Sequence, residues 1–365
     1  MRIVGIGKFY PPEYHGGLES AVAALNAELV RRGCVVTCVV AAARGRGGVA
    51  EQDGVRVVRA GSLGTLLSQP LAPGLVPAVR REDADVVHLH HPNPLGDVAA
   101  LADRRRPLVV TQHSDVVRQR PLWPIYGPVV RAVFRRARFV VVASENYRRT
   151  SRELAGFDAK VRVIPYGIVV ERFAAGPAVV ERARALRAAW GARPVVLAVG
   201  RLVGYKGFDV LLEAAAGLEA TTVVVGTGPE EARLRTLAPP GTVFAGRVSD
   251  ADLPAYYHAC DVFCLPSVTI AEAFGVVLLE AMACGRPLVT TSLPTGVTAV
   301  NRDGVTGLVV PPADAGALRE ALRALLADPA RRRAMGDAGR RAVEAEYTAA
   351  RMADRYLTLY REAAG

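Results

Sequence analysis

Lysine is almost missing: Lys8, Lys160 and Lys206 are the only three, although 46 basic residues stand against 35 acidic ones and leave a net charge of +11. Such a surplus suits nucleic acid, an anionic membrane or phosphorylated small molecules. The chain has no zinc-finger spacing, no RNP-like aromatic motif and no extended Lys/Arg tract, which sets nucleic acid aside. Cysteine is scarce, at five residues. Three residues separate Cys34 from Cys38 and Cys260 from Cys264, neither a CxxC pair nor a zinc framework, so free thiols in a reducing cytosol are expected. No apolar run reaches ~18 residues, and MRIVGIGKFY has no basic region leading into an apolar stretch, so a cytoplasmic protein without membrane spans is expected. Aromatics make up 6% of the chain against 51% hydrophobic residues, which leaves Ala, Val and Leu to build the cores.

What is present is an alternation of short β-rich runs with Ala/Arg-rich helical stretches, the pattern of parallel sheets made from βαβ units. A length of 365 residues favours two domains. Strands are expected at 2–4, 35–40, 55–59, 85–89, 108–111, 139–143 and 161–164, and again at 195–199, 222–225, 243–244, 262–265, 288–291 and 307–310. The Pro/Gly-punctuated stretch between the two sets places a hinge near 168–177. Met352, Tyr356, Leu357 and Tyr360 fall at helical spacing near the C-terminus and predict a docking helix. Open α/β sheets bind ligands outside the carboxyl ends of their strands, so the chemistry is expected there.

Three segments carry that chemistry. Gly16 and Gly17 follow Pro11-Pro12-Glu13-Tyr14-His15 and precede a helix expected from Leu18 to Arg32, a helix N-terminus where unobstructed N–H groups suit a phosphate. Gly200-Arg201-Leu202-Val203-Gly204-Tyr205-Lys206-Gly207 puts two cations five residues apart in a glycine-bounded loop, able to face one anion. Glu272-Ala273-Phe274-Gly275-Val276-Val277-Leu278-Leu279-Glu280 sets Glu272 in a loop and Glu280 inside an apolar helix. Carboxylates there need hydrogen-bond donors, which sugar and ribose hydroxyls supply, while Gly275 admits close approach to the N–H groups of Val276 and Val277.

GRLVGYKG followed by the E-x7-E arrangement EAFGVVLLEAMACG resembles the signature of glycosyltransferase family 4. VRVIPYGIVVERF, GTGPEEARL, AGRVSDADLPAYYHACDVFCLPS and DGVTGLVVPPAD are similar to that family too, so the likeness covers nearly the whole chain. It implies an α/β GT-B fold: two Rossmann-like domains facing across a cleft, with the C-terminal helix returning to the N-terminal domain. Residues 1–170, with the helix at about 348–365, would form the acceptor-binding domain and 171–347 the donor-binding domain. The resemblance implies that Arg201 and Lys206 grip the donor diphosphate, Glu280 the ribose hydroxyls and Glu272 the donor sugar. Gly16 and Gly17 match the phosphate-side loop and His113 the histidine beside the reacting sugar; Val248 falls where the base is expected, and Phe274, Gly275, Val276 and Val277 line the donor. The implied reaction is retaining front-face displacement of a nucleotide-diphosphate sugar by a glycan, lipid-linked or small-molecule acceptor, with no cofactor and no metal.

Other patterns are read as structural. Asp83-Ala84-Asp85 and Asp250-Ala251-Asp252 resemble a metal-holding DxD, but the first precedes a strand and the second starts a helix. His88-Leu89-His90-His91 puts alternate imidazoles on one face, without a carboxylate pattern to make a metal cluster; an acceptor-pocket or strand-end role is expected. Gly226-Thr227-Gly228-Pro229 lacks the third glycine of a dinucleotide fingerprint and reads as a turn with Pro229 at the first helical position. Ser292-Leu293-Pro294-Thr295-Gly296-Val297-Thr298 and the segment from His113 to Gln119 resemble bacterial mannosyl- and rhamnosyltransferases and lean the donor toward GDP-mannose over UDP-sugars. Pro121-Leu122-Trp123-Pro124-Ile125-Tyr126 with Arg131, Arg135, Arg136 and Arg138 reads either as an interfacial segment giving peripheral contact with the inner membrane or as a buried helix with an Arg-rich solvated face. A nucleotide-sugar epimerase would need further carboxylates around the sugar, and a non-catalytic binding subunit would lack Arg201, Lys206 or Glu272.

Overall fold

The computed structural model describes residues 1–12, 16–66, 69–116, 121 and 123–365. Glu13, Tyr14 and His15 of the first glycine segment, Val117 to Gln119 of the His113 segment, and Leu122 lie outside the described residues. The chain divides into two compact units: Met1–Gly167 with Ala349–Gly365, and Ile168–Thr348.

The first unit runs β1 (Arg2–Ile6), α1 (Gly17–Arg31), β2 (Val35–Ala41), β3 (Gly48–Gln52), β4 (Val55–Ala60), the two-residue ribbon β5 (Thr65–Leu66) and β6 (Gln69–Pro70), α2 (Leu75–Arg81), β7 (Val86–His91), α3 (Pro94–Ala102), β8 (Leu108–Gln112), α4 (Trp123–Arg136), β9 (Phe139–Val142), α5 (Glu145–Thr150) and β10 (Val161–Val163). Eight strands form one sheet in the order β10-β9-β8-β7-β1-β2-β4-β3, all parallel except the edge pair β3–β4. Inner strands such as Val86–His91 and Leu108–Gln112 are buried throughout, as a sheet covered on both faces requires. β3 was not expected, because Gly-Val-Ala-Glu-Gln carries no apolar run and lies largely exposed. Its signal is the turn: Gln52 pairs with Val55 across Asp53 and Gly54, both at positive φ (51° and 75°), the two-residue Asp-Gly hairpin.

The second unit runs α6 (Pro177–Trp190), β11 (Val195–Val199), α7 (Phe208–Ala215), β12 (Thr221–Val225), α8 (Glu231–Leu237), β13 (Val243–Gly246), α9 (Leu253–Ala259), β14 (Val262–Leu265), α10 (Val276–Ala283), β15 (Leu288–Thr291), α11 (Gly296–Val300), β16 (Gly307–Val310), α12 (Ala315–Ala327) and α13 (Pro329–Glu346). Its six strands are parallel in the order β13-β12-β11-β14-β15-β16. The stretch 168–177 is packed into this unit: Phe173 is buried, and its carbonyl oxygen lies 2.8 Å from His258 Nε2. Helix α8 begins at Glu231, so Pro229 sits before it and not at its first position. The Gly226 and Gly228 positions are fixed by crowding instead. A Cβ would lie 2.0 Å from Gly200 O at the first and 2.3 Å from Leu202 O at the second.

The chain's last helix, α14 (Ala349–Ala364), packs on the first unit's sheet as expected. Met352, Tyr356, Leu357 and Tyr360 are all buried. Tyr356 OH bonds Thr111 Oγ1 at 2.8 Å, Tyr360 OH bonds His88 Nδ1 at 2.7 Å, and Gly167 N donates to Met352 Sδ at 3.3 Å.

Candidate functional site

In each sheet the strand order reverses at one point, between β1 and β7 in the first unit and between β11 and β14 in the second. Side chains at the carboxyl ends of those strands face the crevice where α/β sheets take ligands.

At the second reversal β11 runs into Gly200 and Arg201, and a short 3-10 turn, Gly204–Lys206, leads to α7. Gly207 caps that helix at φ 67°, and a Cβ there would stand 2.1 Å from Pro266 O just past β14. Glycine therefore lets the cationic loop lie against the end of the neighbouring strand. Val268 N donates to Tyr205 O at 2.9 Å and holds the loop there. Lys206 Nζ donates to Glu272 Oε2, and Ser267 Oγ donates to the same oxygen at 3.0 Å. Burial works against the Lys206 charge, but Glu272 and Tyr205 outweigh it and raise the ammonium's pKa. Arg201 is exposed on the same loop and pairs with no carboxylate among the described residues. The result is a held ammonium beside a free guanidinium, a pair suited to a diphosphate.

Helix α10 starts at Gly275, whose φ of 81° and ψ of 65° are left-handed and whose side supplies no capping group. The N–H groups of Val276 and Val277 open the helix. Phe274 is buried against Tyr347, and Glu272 precedes it in the loop. Glu280 lies one turn in, where Tyr257 OH donates to Oε2 at 2.6 Å. Burial raises the Glu280 carboxyl pKa, which the Tyr257 hydrogen bond partly offsets. Val248 follows β13 and is half-buried. Thus Arg201, Lys206, Glu272, Phe274, Gly275, Val276, Val277, Glu280 and Val248 all belong to one unit, and Lys206 and Glu272 touch.

The first unit holds Gly16, Gly17 and His113. Gly16 is the extended N-cap of α1 without a side-chain cap, and Gly17 is the helix's first residue. His113 follows β8 and is 9% exposed; its Nε2 bonds His90 Nδ1 at 3.0 Å and its Nδ1 bonds the Tyr166 hydroxyl. Both ring nitrogens are therefore taken, a limit on the role the family resemblance implies. The His88–His91 run is not a strand-end pocket throughout. His88 lies in mid-strand, where it bonds Thr111 at 2.7 Å and Tyr360, while His90 stands next to the last residue of β7 and meets His113 there. Burial depresses His88, His90 and His113, with His90 down to about 4, so all three are neutral near pH 7.

Sequence reading missed a polar cluster at the first reversal point. His91, the last residue of β7, bonds the buried Asp97 at 2.9 Å, and Tyr126 OH donates to the other Asp97 oxygen. Glu153 accepts from Val116 N at 2.6 Å and Gln112 Nε2 at 2.8 Å. Lys8, just past β1, is depressed by burial against the opposing pull of Glu19 and Asp97. Asp97 lies in the first turn of α3 with nothing in its sequence context to pair it with a histidine, while His91 stood in the noticed run.

The two DxD-like pairs are occupied locally. Arg2 N donates to Asp85 Oδ2 at 2.7 Å and the Arg2 guanidinium pairs with Asp83, while Asp252 accepts from Ser249 Oγ at 2.7 Å. In α4, Ile125 is 79% exposed near the start, and Arg131 and Arg135 are exposed further along the helix. No helix among the described residues is long and apolar enough to cross a membrane.

Known proteins match this arrangement along its length. The family described as Glycosyltransferase Family 4 matches residues 15–172, and Glycosyl transferases group 1 matches residues 182–342. O-antigen chain mannosyltransferase C of Escherichia coli is 31% identical over 372 residues, covering 99% of this chain and 98% of that protein. The chain belongs to glycosyltransferase family 4. D-rhamnosyltransferase WbpZ of Pseudomonas aeruginosa is 38% identical over 270 residues, 73% of this chain and 69% of its own length. A GDP-mannose-dependent alpha-(1-6)-phosphatidylinositol monomannoside mannosyltransferase of Mycolicibacterium smegmatis is 32% identical over 91% of both chains. Among solved structures, sucrose-phosphate synthase of Thermosynechococcus elongatus superposes with a TM-score of 0.84 at 26% identity over 99% of this chain and 98% of that one. HepE of Anabaena in complex with UDP and glucose gives 0.80 at 19% identity over 99% and 100%. The fold of this family 4 member is GT-B, and the chain is a hexosyltransferase.

Proposed function

We propose that this glycosyltransferase moves mannose from GDP-mannose to a hydroxyl of a glycan or lipid-linked acceptor, with retention of configuration and without a metal ion. The observation that carries the reading is the cationic loop at the second sheet's reversal point: exposed Arg201 beside Lys206, which Glu272 and Ser267 hold in place. The second unit binds the donor. Arg201 and Lys206 offset the charge that grows on the leaving diphosphate, the task a divalent cation performs elsewhere. Glu280 accepts from the ribose hydroxyls, Val276 and Val277 N–H groups meet donor oxygens past Gly275, and Val248 lies by the base. Glu272 serves the donor sugar with its remaining oxygen, since Oε2 is already shared by Lys206 and Ser267.

The acceptor belongs to the first unit. Its hydroxyl oxygen bonds to the anomeric carbon on the face from which the diphosphate departs, and a phosphate oxygen takes the proton. No enzymic nucleophile is needed. Gly16 and Gly17 place main-chain N–H groups on the phosphate side, and His113 contributes its main-chain carbonyl, its ring being occupied. Lipid-linked acceptors bring such an enzyme to the cytoplasmic face of the inner membrane as a peripheral protein.

Mannose is favoured over a UDP-sugar by the relatives that share 31–32% identity over nearly the whole chain and are named as mannosyltransferases. D-rhamnose, named for WbpZ, is mannose without its 6-hydroxyl, so that relative points the same way. A thermal-shift panel of nucleotide sugars in chelator tests the donor, because a ligand bound to the folded state alone must stabilise it. Stabilisation by UDP-glucose with none by GDP-mannose sinks the donor assignment. Proton NMR of the first-formed product tests stereochemistry, and a β-linked mannoside sinks retention.

A further inference from the structure

The first unit has a basic cavity far from its ligand-binding strand ends. It measures about 600 Å³ and is lined by Arg104, Arg106, Arg136, Arg138, Lys160 and Arg162, with Glu362 the single carboxylate. Its floor is the amino ends of the strands: Leu108 opens β8, Phe139 opens β9, and Lys160 precedes β10. Ligands of an α/β sheet gather at the opposite, carboxyl ends, so the donor and acceptor chemistry does not account for this concentration of charge.

Some of the cations are satisfied. Arg106 pairs with Asp103 at 2.6 Å and donates to Glu82 O and Val79 O. Lys160 caps the carboxyl end of α4, donating to the carbonyls of Phe134, Arg135 and Ala137. Arg104, Arg138 and Arg162 have no carboxylate partner among the described residues. Arg138 and Arg162 lie over the Phe139 ring at 6.0 and 4.7 Å, and Arg162 donates only to carbonyls. Arg136 donates through Nη2 to the carbonyls of Asp103 and Arg106, but its buried Nη1 has no hydrogen-bond partner among the described residues. A buried donor left open is costly, and like charges held together add to that cost. Burial depresses both Arg136 and Lys160; Arg138 adds to the effect at Lys160, while at Arg136 the Asp103 carboxylate pulls the other way and Arg106 adds to the depression.

We propose that this cavity is an anion site for a phosphate-bearing ligand, separate from the transferase chemistry, in which Arg104, Arg138 and Arg162 meet the phosphate oxygens and Arg136 Nη1 gains its missing acceptor. Guanidinium forks match phosphate oxygens in pairs, and several forks around one concavity favour a dianion over a lone chloride. The phosphate belongs either to a lipid headgroup or to a soluble compound.

Isothermal titration with inorganic pyrophosphate, at ionic strength held constant with sodium chloride, compares the natural protein with Arg104→Gln/Arg138→Gln. Both arginines are exposed, so the variant is expected to fold and to keep its thermal response to nucleotide sugars. The variant loses one class of pyrophosphate site, weakened at least tenfold, whatever other sites the protein has. An isotherm that the two substitutions leave unchanged overturns the proposal. Sedimentation with phosphatidylglycerol–phosphatidylcholine vesicles then separates the sources. Vesicle binding that pyrophosphate displaces and the double variant lacks assigns the headgroup; pyrophosphate binding without sedimentation assigns a soluble phosphate. Vesicle binding that the variant retains in full, with no pyrophosphate site lost, reduces the cavity to diffuse surface charge and overturns the site.

Discussion

Lys206 and Glu272 lie 66 positions apart in sequence and form a buried ion pair, with side chains 12% and 9% exposed. The pair sets a lysine rigidly where a flexible one would waste its charge, since an ammonium fixed before reaction needs no reorganisation as the leaving group departs. Lys206→Ala is expected to lower kcat by about 10³-fold or more, and to destabilise the fold by about 3 kcal/mol because Glu272 stays buried and unpaired. Adding Glu272→Gln to it should restore most of the stability and none of the activity. Urea titrations and turnover of the two variants check this. Recovery of turnover along with stability would show that the lysine serves the fold alone.

Gly207 separates conformation from chemistry. Its φ of 67° and the 2.1 Å gap between a would-be Cβ and Pro266 O leave no room for alanine. Gly207→Ala should cost at least about 2 kcal/mol and weaken donor binding together, because the cationic loop must lift from β14. Gly204 is the control: nothing lies within 4 Å of its would-be Cβ. Gly204→Ala is expected to stay within about 0.5 kcal/mol of the natural protein in chemical denaturation.

The sheets were legible because their strands are short runs rich in apolar and β-branched residues. Val195–Val199, Val262–Leu265, Leu288–Thr291 and Gly307–Val310 sit where the runs place them. The edge strand β3 escaped because an exposed edge needs no apolar run, although Asp53-Gly54 marked its turn. In the site, glycine-bounded Arg201 and Lys206 could be found from spacing on one loop. The partnership of Lys206 with Ser267 and Glu272 could not, since it depends on two strands adjacent only in the folded sheet. For the same reason the sequence points to an acceptor-pocket or strand-end role for His88, whereas the tyrosine that occupies it arrives 272 residues later.

That histidine network predicts an acid-sensitive first unit. His88, His90 and His113 are neutral in the fold with depressed pKa values, so the unfolded chain binds more protons below its ordinary value of 6.5. The stability they confer is complete above pH 6.5 and is lost as pH falls toward about 4, the value for His90. Each histidine adds at most roughly 1.4 kcal/mol per pH unit in that window. Urea midpoints at pH 7.5, 6 and 5 should fall, with α14 released early because Tyr360 and Tyr356 are bonded to the same cluster. His88→Asn should flatten the pH dependence while lowering stability at pH 7.5. A midpoint independent of pH across this range would show that the imidazoles titrate alike in both states.

Glu280 gives the opposite sign. Burial raises its carboxyl pKa above the model-compound value of 4.5, so ionising it costs the folded protein stability as pH rises from 4.5 through the raised value. Tyr257 OH supplies one hydrogen bond to the carboxylate at 2.6 Å. Ribose hydroxyls would supply others, and they favour the ionised form because a carboxylate accepts where a carboxylic acid accepts more weakly. Donor binding is therefore expected to release a proton from the fraction of Glu280 still protonated, and the thermal shift that the donor causes should grow as pH rises from 4.5 toward neutrality. In Glu280→Gln, which accepts through one oxygen and cannot ionise, the shift should be smaller by the equivalent of about tenfold in affinity and flat with pH. A pH-dependent shift that survives the substitution would locate the titrating group elsewhere in the donor site.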